Sequence, residues 1–248
     1  MSRILRPLYT LAGLVLAWWL LARFAGIPAF LLPGPGAVAA TLVTRWGFLW
    51  ANMLVTLVEI ALGLALGTLA GALLALVMVY SRGLQRWVLP LLLLSQAVPV
   101  FALAPLLVLW LGFGLASKVL MTMLIIFFPV TAAFYDGLRR TEPGWLDLAR
   151  TMGASSLAQL LHVRLMAALP AFGAGLRIAA AAAPIGAIIG EWAGASAGLG
   201  YVMLNANARM QTDLMFAALA LLAALTILLW ALVDGLLRRL LRWAPDSG

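Results

Sequence analysis

The residues able to do chemistry are few in this chain of 248 residues, and they stand far apart in the sequence. There is no cysteine, which excludes disulfides and thiolate metal sites, and the single histidine, His162, cannot form a metal cluster alone. The single lysine, Lys118, is followed by Val119, so the chain has no Gly-Lys-Ser/Thr phosphate loop. No acid or nucleophile stands at a spacing that would make His162 a catalytic base. The sequence therefore predicts neither an enzymatic reaction nor a cofactor in this chain.

Acidic and polar residues inside apolar stretches indicate a different chemistry, the passage of a polar solute. Glu59 and Glu191 lie in long apolar segments, where a charge at membrane depth costs at least about 2.5 kcal/mol. Ser95 and Gln96 precede Pro99 in a segment that prolines interrupt, and broken backbone at membrane depth commonly lines a cavity. We predict that these five residues line a translocation pathway. Structural pairing is the competing explanation for Glu59, and a place near the outer surface is the one for Glu191.

Composition places the surrounding elements in a membrane. The chain is 65% hydrophobic and 10% charged, with a mean hydropathy of +1.10, whereas roughly a quarter of the residues in a soluble domain are charged. A bilayer core of about 30 Å needs roughly 20 apolar residues in a helix. Such runs predict a single all-α membrane domain over 1–248 with six transmembrane helices, at about 8–25, 53–80, 87–111, 117–137, 165–193 and 213–237. The third should be kinked or partly unwound by Pro90, Pro99 and Pro105.

The basic residues predict an orientation, because Lys and Arg favour the cytoplasmic side of a membrane. With the N-terminus inside, eleven lie on inner segments, namely Arg3, Arg6, Arg82, Arg86, Arg139, Arg140, Arg150, Arg164, Arg238, Arg239 and Arg242. Four lie on outer segments, namely Arg23, Arg45, Lys118 and Arg209. Both termini are therefore predicted to face the cytoplasm. The formal net charge of +8 is explained by topology, with nucleic-acid binding as the weaker explanation.

Two predicted spans carry glycines at four-residue spacing, namely Gly63, Gly67 and Gly71, and Gly186, Gly190 and Gly194. Such stripes let helix backbones approach closely in lipid. We predict packing within one bundle, with a subunit interface as the alternative.

The stretch between the fourth and fifth predicted spans is half polar. Pro143 suits a first helical turn, and Trp145, Leu148, Ala149 and Met152 follow at the spacing of one apolar helix face. Gly153 suits a left-handed residue that ends this helix. A second helix is predicted from a capping box of Ser156 and Gln159, running on into the fifth span. The apolar face needs burial, and three places would provide it: the membrane surface, the protein's own bundle, or a groove on a cytoplasmic partner.

This stretch resembles the cytoplasmic signature of permease subunits of ATP-binding-cassette importers, which reads Glu-Ala-Ala, three residues, Gly, nine residues and Ile-x-Leu-Pro. Asp147-Leu148-Ala149 is similar to the first part, Gly153 matches the glycine, and Val163 and Leu165 match Ile and Leu. Met166 stands in place of the proline, and Leu148 in place of the middle alanine.

The resemblance extends over nearly the whole chain. "FLLPGPGAV" at 30–38 and "PVFALAPLLVLWLGFG" at 99–114 resemble permeases of the nitrate/sulfonate/taurine group, as does the stretch 190–219. Within that group, Gly-Glu-Trp at 190–192 and Asn-Ala-Arg-Met-Gln at 207–211 are most similar to permeases for pyrimidine precursors of thiamine.

The resemblance implies a type I importer permease in the bacterial inner membrane, working as a homodimer. It implies two cytoplasmic ATP-binding subunits, which bind ATP and Mg, and an outer solute-binding protein. Segment 141–157 would be the coupling helix, with Asp147 and Arg150 at the rim of the partner's groove. Leu148, Ala149 and Met152 would supply buried contact, and Gly153 the turn.

One alternative for the function, and one for the role of the outer residues, remain open at this point. An ion-coupled secondary transporter often shows inverted repeats, and no convincing repeat relates the halves of this chain. For the outer residues Asn205, Asn207, Arg209 and Gln211, a solvated loop and a contact with a binding protein are the two explanations.

Overall fold

A computed structural model describes the backbone of residues 2–244 and the side chains of residues 9–81 and 83–244. The regular elements in this part of the chain are all helical, which confirms the all-α prediction. The helices are α1 (Ser2–Phe24), α2 (Pro35–Thr44), α3 (Trp46–Tyr80), α4 (Arg82–Ser95), α5 (Ala104–Leu111), α6 (Leu115–Arg139), α7 (Pro143–Thr151), α8 (Ser156–Gln159), α9 (Leu165–Gly194), α10 (Leu199–Ala208) and α11 (Thr212–Leu240). The side chains of Arg3, Arg6 and Arg82, used for the orientation, lie outside the described ones.

The described helices include four that are long and apolar enough to cross a membrane, namely Trp46–Tyr80, Leu115–Arg139, Ser156–Gly194 and Thr212–Leu240. A fifth crossing is formed if the pair Gly83–Ser95 and Val100–Leu111, bent by 89°, counts as one span. The first predicted span corresponds to Tyr9–Phe24, a shorter apolar helix. Six transmembrane helices therefore remain a prediction, and so does the cytoplasmic placement of the termini.

The bend in the third predicted span lies at Pro99, which precedes a 3₁₀ turn at Val100–Leu103. A proline there cannot donate a backbone hydrogen bond, so the helix that ends at Ser95 does not continue. Pro105 sits in the first turn of α5, where its missing N–H is not needed. Pro90 lies inside α4 and does not end that helix, so the break in this span comes after it.

The chain divides into two compact units, which we describe separately. In the larger, Leu57–Ala195 with Leu225–Gly248, α6 packs closely against both glycine stripes. A Cβ built on Gly63 would lie 2.5 Å from the Thr122 side chain, and one built on Gly186 would lie 2.5 Å from the Thr122 Cα. Glycine is therefore required where α3 and α9 meet α6, and packing within one bundle is confirmed.

An ion-pair network in the same unit joins α9 to α11. Arg177 Nε donates to Asp234 Oδ1 at 2.6 Å, and Arg238 Nε donates to Asp234 Oδ2 at 2.7 Å. Both carboxylate oxygens of Asp234 are thereby satisfied, as a charge in an apolar helix requires.

The smaller unit consists of Met1–Thr56 with Ser196–Ala224, and here two polar side chains cap α10. The Gly198 N–H donates to Asn52 Oδ1 at 2.8 Å, and the Leu199 N–H donates to Thr56 Oγ1 at 2.8 Å. The first N–H groups of a helix have no partner within it, so these bonds satisfy donors that are otherwise unpaired in a buried site. A long-range bond of 2.7 Å from Thr41 Oγ1 to Asp213 Oδ2 joins α2 to the start of α11.

Replacing Asn52 with leucine, which is similar in size, should destabilise the protein by about 1–3 kcal/mol, because the buried Gly198 N–H loses its acceptor. Thermal unfolding of the detergent-purified protein measures this. The matched control is Asn207→Leu, since Asn207 is exposed. Equal melting temperatures for the two variants would contradict the capping role.

Candidate functional site

The segment 141–157 forms the predicted helix, glycine turn and second helix. Pro143 occupies the first turn of α7. Gly153 follows with a φ of +80°, the left-handed conformation that favours glycine. The turn is closed by two bonds of 2.9 Å, from the Gly153 N–H to the Arg150 carbonyl and from the Ala154 N–H to the Ala149 carbonyl. This is the hydrogen-bonded end expected of a helix that stops at a glycine.

The capping box predicted at Ser156 is wrong by one residue. Ser155 is the N-cap of α8, and its Oγ accepts the Ala158 N–H at 3.2 Å. Gln159 Nε2 donates instead to the Ala154 carbonyl at 2.9 Å. With two adjacent serines, the sequence does not show which one has the extended backbone that a cap needs.

The second helix continues without a break into the predicted fifth span. After α8, the residues Leu160–Arg164 form a π turn, and α9 follows directly. The whole stretch Ser156–Gly194 is one apolar helical segment of 39 residues. The glycine turn at Gly153 thus lies just before one continuous helical segment that ends at Gly194.

The apolar face of α7 is left largely uncovered. Leu146 is the buried residue of this helix, whereas Trp145 is 53% exposed, Leu148 62% and Met152 79%. These three residues and Ala149 line one side of an apolar groove of about 500 Å³. The groove is also lined by Val163, Met166, Ala167, Pro170 and Trp243, and by one polar residue, His162.

The remaining residues of the signature are placed differently. Asp147 and Arg150 form an exposed ion pair of 2.8 Å, worth little to stability when exposed in this way. Leu165 does not line the groove; it packs on an internal cluster that contains Phe134 and Leu138. Val163 therefore belongs to the groove, while Leu165 anchors the start of α9.

The predicted pathway residues form two groups. Glu59 and Glu191 are buried, with 2% and 1% of their surface exposed, and the two side chains interact electrostatically with each other. Structural pairing, the explanation that competes with a pathway role for Glu59, stays a prediction. Lys118, which is predicted to lie on an outer segment, is 3% exposed and interacts electrostatically with both acids. The signal in the sequence that could have pointed to this buried lysine is that it is the single lysine of the chain and stands in the first turn of a long apolar helix.

The second group lies at the bend between α4 and α5. Ser95, Gln96 and Pro99 are exposed there. Ser95 Oγ donates to the Leu92 carbonyl at 2.7 Å, and Gln96 Nε2 donates to Ser95 Oγ at 3.4 Å. The side-chain amide of Gln96 is exposed.

The polar outer stretch is mostly helical, which corrects its description as a loop. Asn205 and Asn207 lie on α10, and the connection to α11 runs over Arg209, Met210 and Gln211. Beyond this turn is a small polar cavity of about 250 Å³ in the smaller unit, lined by Thr41, Thr44, Arg45, Gln211, Asp213 and Leu214.

Comparison with known proteins identifies relatives over nearly the full length. A family described as binding-protein-dependent transport system inner membrane component matches residues 67–244. A probable ABC transporter permease protein of Haemophilus influenzae is 54% identical, covering 96% of this chain and 97% of that protein. The formylaminopyrimidine transport permease ThiX of Halalkalibacterium halodurans is 39% identical, with 96% of both chains covered. The taurine transport permease TauC of Escherichia coli is 32% identical, covering 94% of this chain and 88% of that one.

The fold is similar to one seen in a solved transporter. A chain from an inward-facing structure of the MetNI methionine ABC transporter superposes with a TM-score of 0.69 at 19% identity, covering 79% of this chain and 97% of that one. At 19% identity, this similarity is evidence for the fold alone.

Proposed function

The chain belongs to the family of binding-protein-dependent transport system inner membrane components, and from this premise we propose that it is the permease subunit of an ATP-driven importer. It forms the membrane path for a small polar organic solute that a solute-binding protein delivers. Hydrolysis of ATP takes place in a partner subunit, which also binds Mg.

The observation that carries this proposal is the uncovered apolar face of α7. Large apolar side chains at 53–79% exposure require a partner, because each gains about 1.5–3 kcal/mol from full burial. The turn at Gly153 ends this face, and the exposed ion pair Asp147–Arg150 places two charged groups beside it. A helix presented to a groove on an ATP-binding subunit would bury the face.

In the proposed assembly, two copies of the chain form the pore and two ATP-binding subunits attach on the cytoplasmic side. Both termini face the cytoplasm of a bacterial cell, and the membrane is the inner one. Closure of the ATP-binding subunits draws the two α7 helices together. Because Ser156–Gly194 is one continuous element, this motion reaches the far end of α9 and shifts the bundle between inward- and outward-open states.

The path for the solute is proposed to involve the exposed polar groups at the α4–α5 bend, Ser95 and Gln96, beside Pro99. Glu59 and Glu191 support this path from within the bundle, since both are buried. The outer residues Arg209 and Gln211 are the proposed contact with the solute-binding protein.

A pyrimidine precursor of thiamine is the proposed solute, on the strength of the 39% identity to the formylaminopyrimidine permease. A taurine-like sulfonate is the second candidate, supported by the 32% identity to the taurine permease. In proteoliposomes that contain the permease, its ATP-binding subunit and its binding protein, we expect uptake of labelled formylaminopyrimidine. An excess of unlabelled taurine should not reduce it. Uptake of taurine in place of the pyrimidine would reverse the order of the two candidates.

The same vesicles separate an ATP-driven importer from an ion-coupled transporter. Uptake should require hydrolysable ATP and persist when an ionophore collapses the ion gradients. Uptake that needs a gradient and no ATP would contradict the proposed mechanism, whichever solute is carried.

A further inference from the structure

A small polar cavity lies in the larger unit, between the end of α3 and the start of α9. Its volume is about 150 Å³, and it is lined by Val79, Tyr80, Arg150, Ser156, Gln159, Leu160 and Arg164. Within the described part of the chain, no acidic side chain lines it. Two guanidinium groups, two hydroxyls and one side-chain amide offer hydrogen-bond donors to this space, a set that suits an oxyanion such as a phosphate group. We call it the arginine cavity.

The arginine cavity has an excess of positive charge. Arg150 forms an ion pair of 2.8 Å with Asp147. Arg164 has no ion-pair partner among the acidic residues that the structure describes. Two arginines and one neighbouring carboxylate leave a net charge of +1, so the cavity attracts an anionic group.

An uncovered apolar stripe of α3 leads to the arginine cavity. Leu69, Leu73, Val77 and Tyr80 follow at the spacing of one helix face, and each is at least 45% exposed. Tyr80 is the last residue of α3 and also lines the cavity. The stripe is roughly 16 Å long at 1.5 Å per residue, about half the thickness of a bilayer core. A single ligand that covers the stripe and fills the cavity must have an apolar tail and an anionic end.

The arginine cavity lies where two membrane spans end. Trp46–Tyr80 and Ser156–Gly194 are both long and apolar enough to cross a membrane. Tyr80 ends the first and Arg164 lies in the third turn of the second, and aromatic and basic residues at span ends mark the boundary between membrane and water. The cavity is smaller than the roughly 300–1,000 Å³ of pockets that enclose whole small molecules. It therefore suits a head group whose tails lie outside.

We propose that the arginine cavity and the stripe 69–80 form a binding site for one anionic phospholipid. Its phosphate lies between Arg150 and Arg164, and one acyl chain lies along the stripe. The π turn Leu160–Arg164 supports this assignment, because its first and last residues both line the cavity and π turns within helices are frequent at functional sites. The site does not depend on the transported solute or on the ATP-binding subunit.

Native mass spectrometry of the detergent-purified permease tests the site by titration with phosphatidylglycerol, and with phosphatidylcholine of the same acyl chains. We expect phosphatidylglycerol to bind at least about fivefold more tightly, the effect of one basic residue at an anionic membrane surface. Arg164→Gln should remove this preference. The matched control is Arg140→Gln, since Arg140 is exposed and does not line the cavity, and it should keep the preference.

Inorganic phosphate separates a lipid site from a simple anion site. Added at the concentration of the lipid, it should not displace phosphatidylglycerol, because it has no tail to cover the stripe. Displacement by inorganic phosphate would overturn the assignment to a lipid. Equal affinities of the wild type for the two lipids would also overturn it, which is the result expected if a second copy of the chain covers the stripe. These wild-type measurements decide the matter even if Arg164→Gln does not fold. A preference that Arg164→Gln leaves intact would exclude the arginine cavity as the site.

Discussion

Replacing Gly153 with tryptophan is expected to abolish co-purification of the ATP-binding subunit while the permease itself stays folded. A Cβ built on Gly153 has no atom within 4 Å, so the indole would project into open space from the surface that we assign to the partner. Overpacking at a docked contact costs about 1–3 kcal/mol, and each 1.4 kcal/mol is about a tenfold loss of affinity. Pull-down from detergent after co-expression, with size-exclusion chromatography of the permease, measures both results.

Two controls separate the steric effect from backbone strain. Gly112→Trp places the same side chain at a φ of +78°, also with no atom within 4 Å, but between α5 and α6. It should retain the ATP-binding subunit. Gly153→Asn should also retain it, because asparagine tolerates the left-handed conformation. Retention by Gly153→Trp at the wild-type level would exclude the glycine turn from the docking surface.

The conservative change Gly186→Ala is expected to destabilise the permease by about 3 kcal/mol or more, at or above the upper end for overpacked cores. Its Cβ would lie 2.5 Å from the Thr122 Cα and 3.2 Å from the Thr122 backbone nitrogen. Backbone atoms cannot rotate away as a flexible side chain can, so α6 and α9 would have to separate. Thermal unfolding and the yield of monodisperse protein in detergent measure the effect.

The matched control for Gly186→Ala is Gly235→Ala in the apolar helix α11. A Cβ built on Gly235 has no atom within 4 Å, so alanine there should leave stability unchanged or raise it by about 0.5–1 kcal/mol through its better helix propensity. Opposite signs for the two glycine-to-alanine changes are the expected outcome. If Gly186→Ala were as stable as the wild type, the close approach of α6 and α9 would be wrong.

Much of the fold was predictable because its signals are local or periodic. Long apolar runs predicted the helices, four-residue glycine spacing predicted close packing, and Pro143 with Gly153 predicted the limits of α7. The failures have a common cause, which is that the sequence does not show which of several equivalent signals is used. Pro90 and Pro99 are both prolines in one apolar segment, and only the second stands where the helix ends.

The sites were predictable in part. The apolar face of α7 followed from spacing, but the groove behind it also needs Trp243, which lies about ninety residues further along the chain. The interaction of Glu59 with Glu191 could not be predicted, because it joins helices that are distant in sequence. The burial of Lys118 could not be predicted either, since a basic residue at a helix end is ordinarily a topology signal.

The most direct test of the coupling role is photo-crosslinking in cells from a single cysteine, which is practical because the chain has none of its own. A cysteine at Met152, on the uncovered α7 face, is labelled with a photoactivatable reagent, and Leu232, 62% exposed on α11, serves as the control position. We predict that mass spectrometry identifies an ATP-binding-cassette subunit in the adduct from position 152 and not in that from position 232. Adducts from position 152 that contain only lipid or the permease itself would contradict the proposal that this segment couples the chain to an ATP-driven partner.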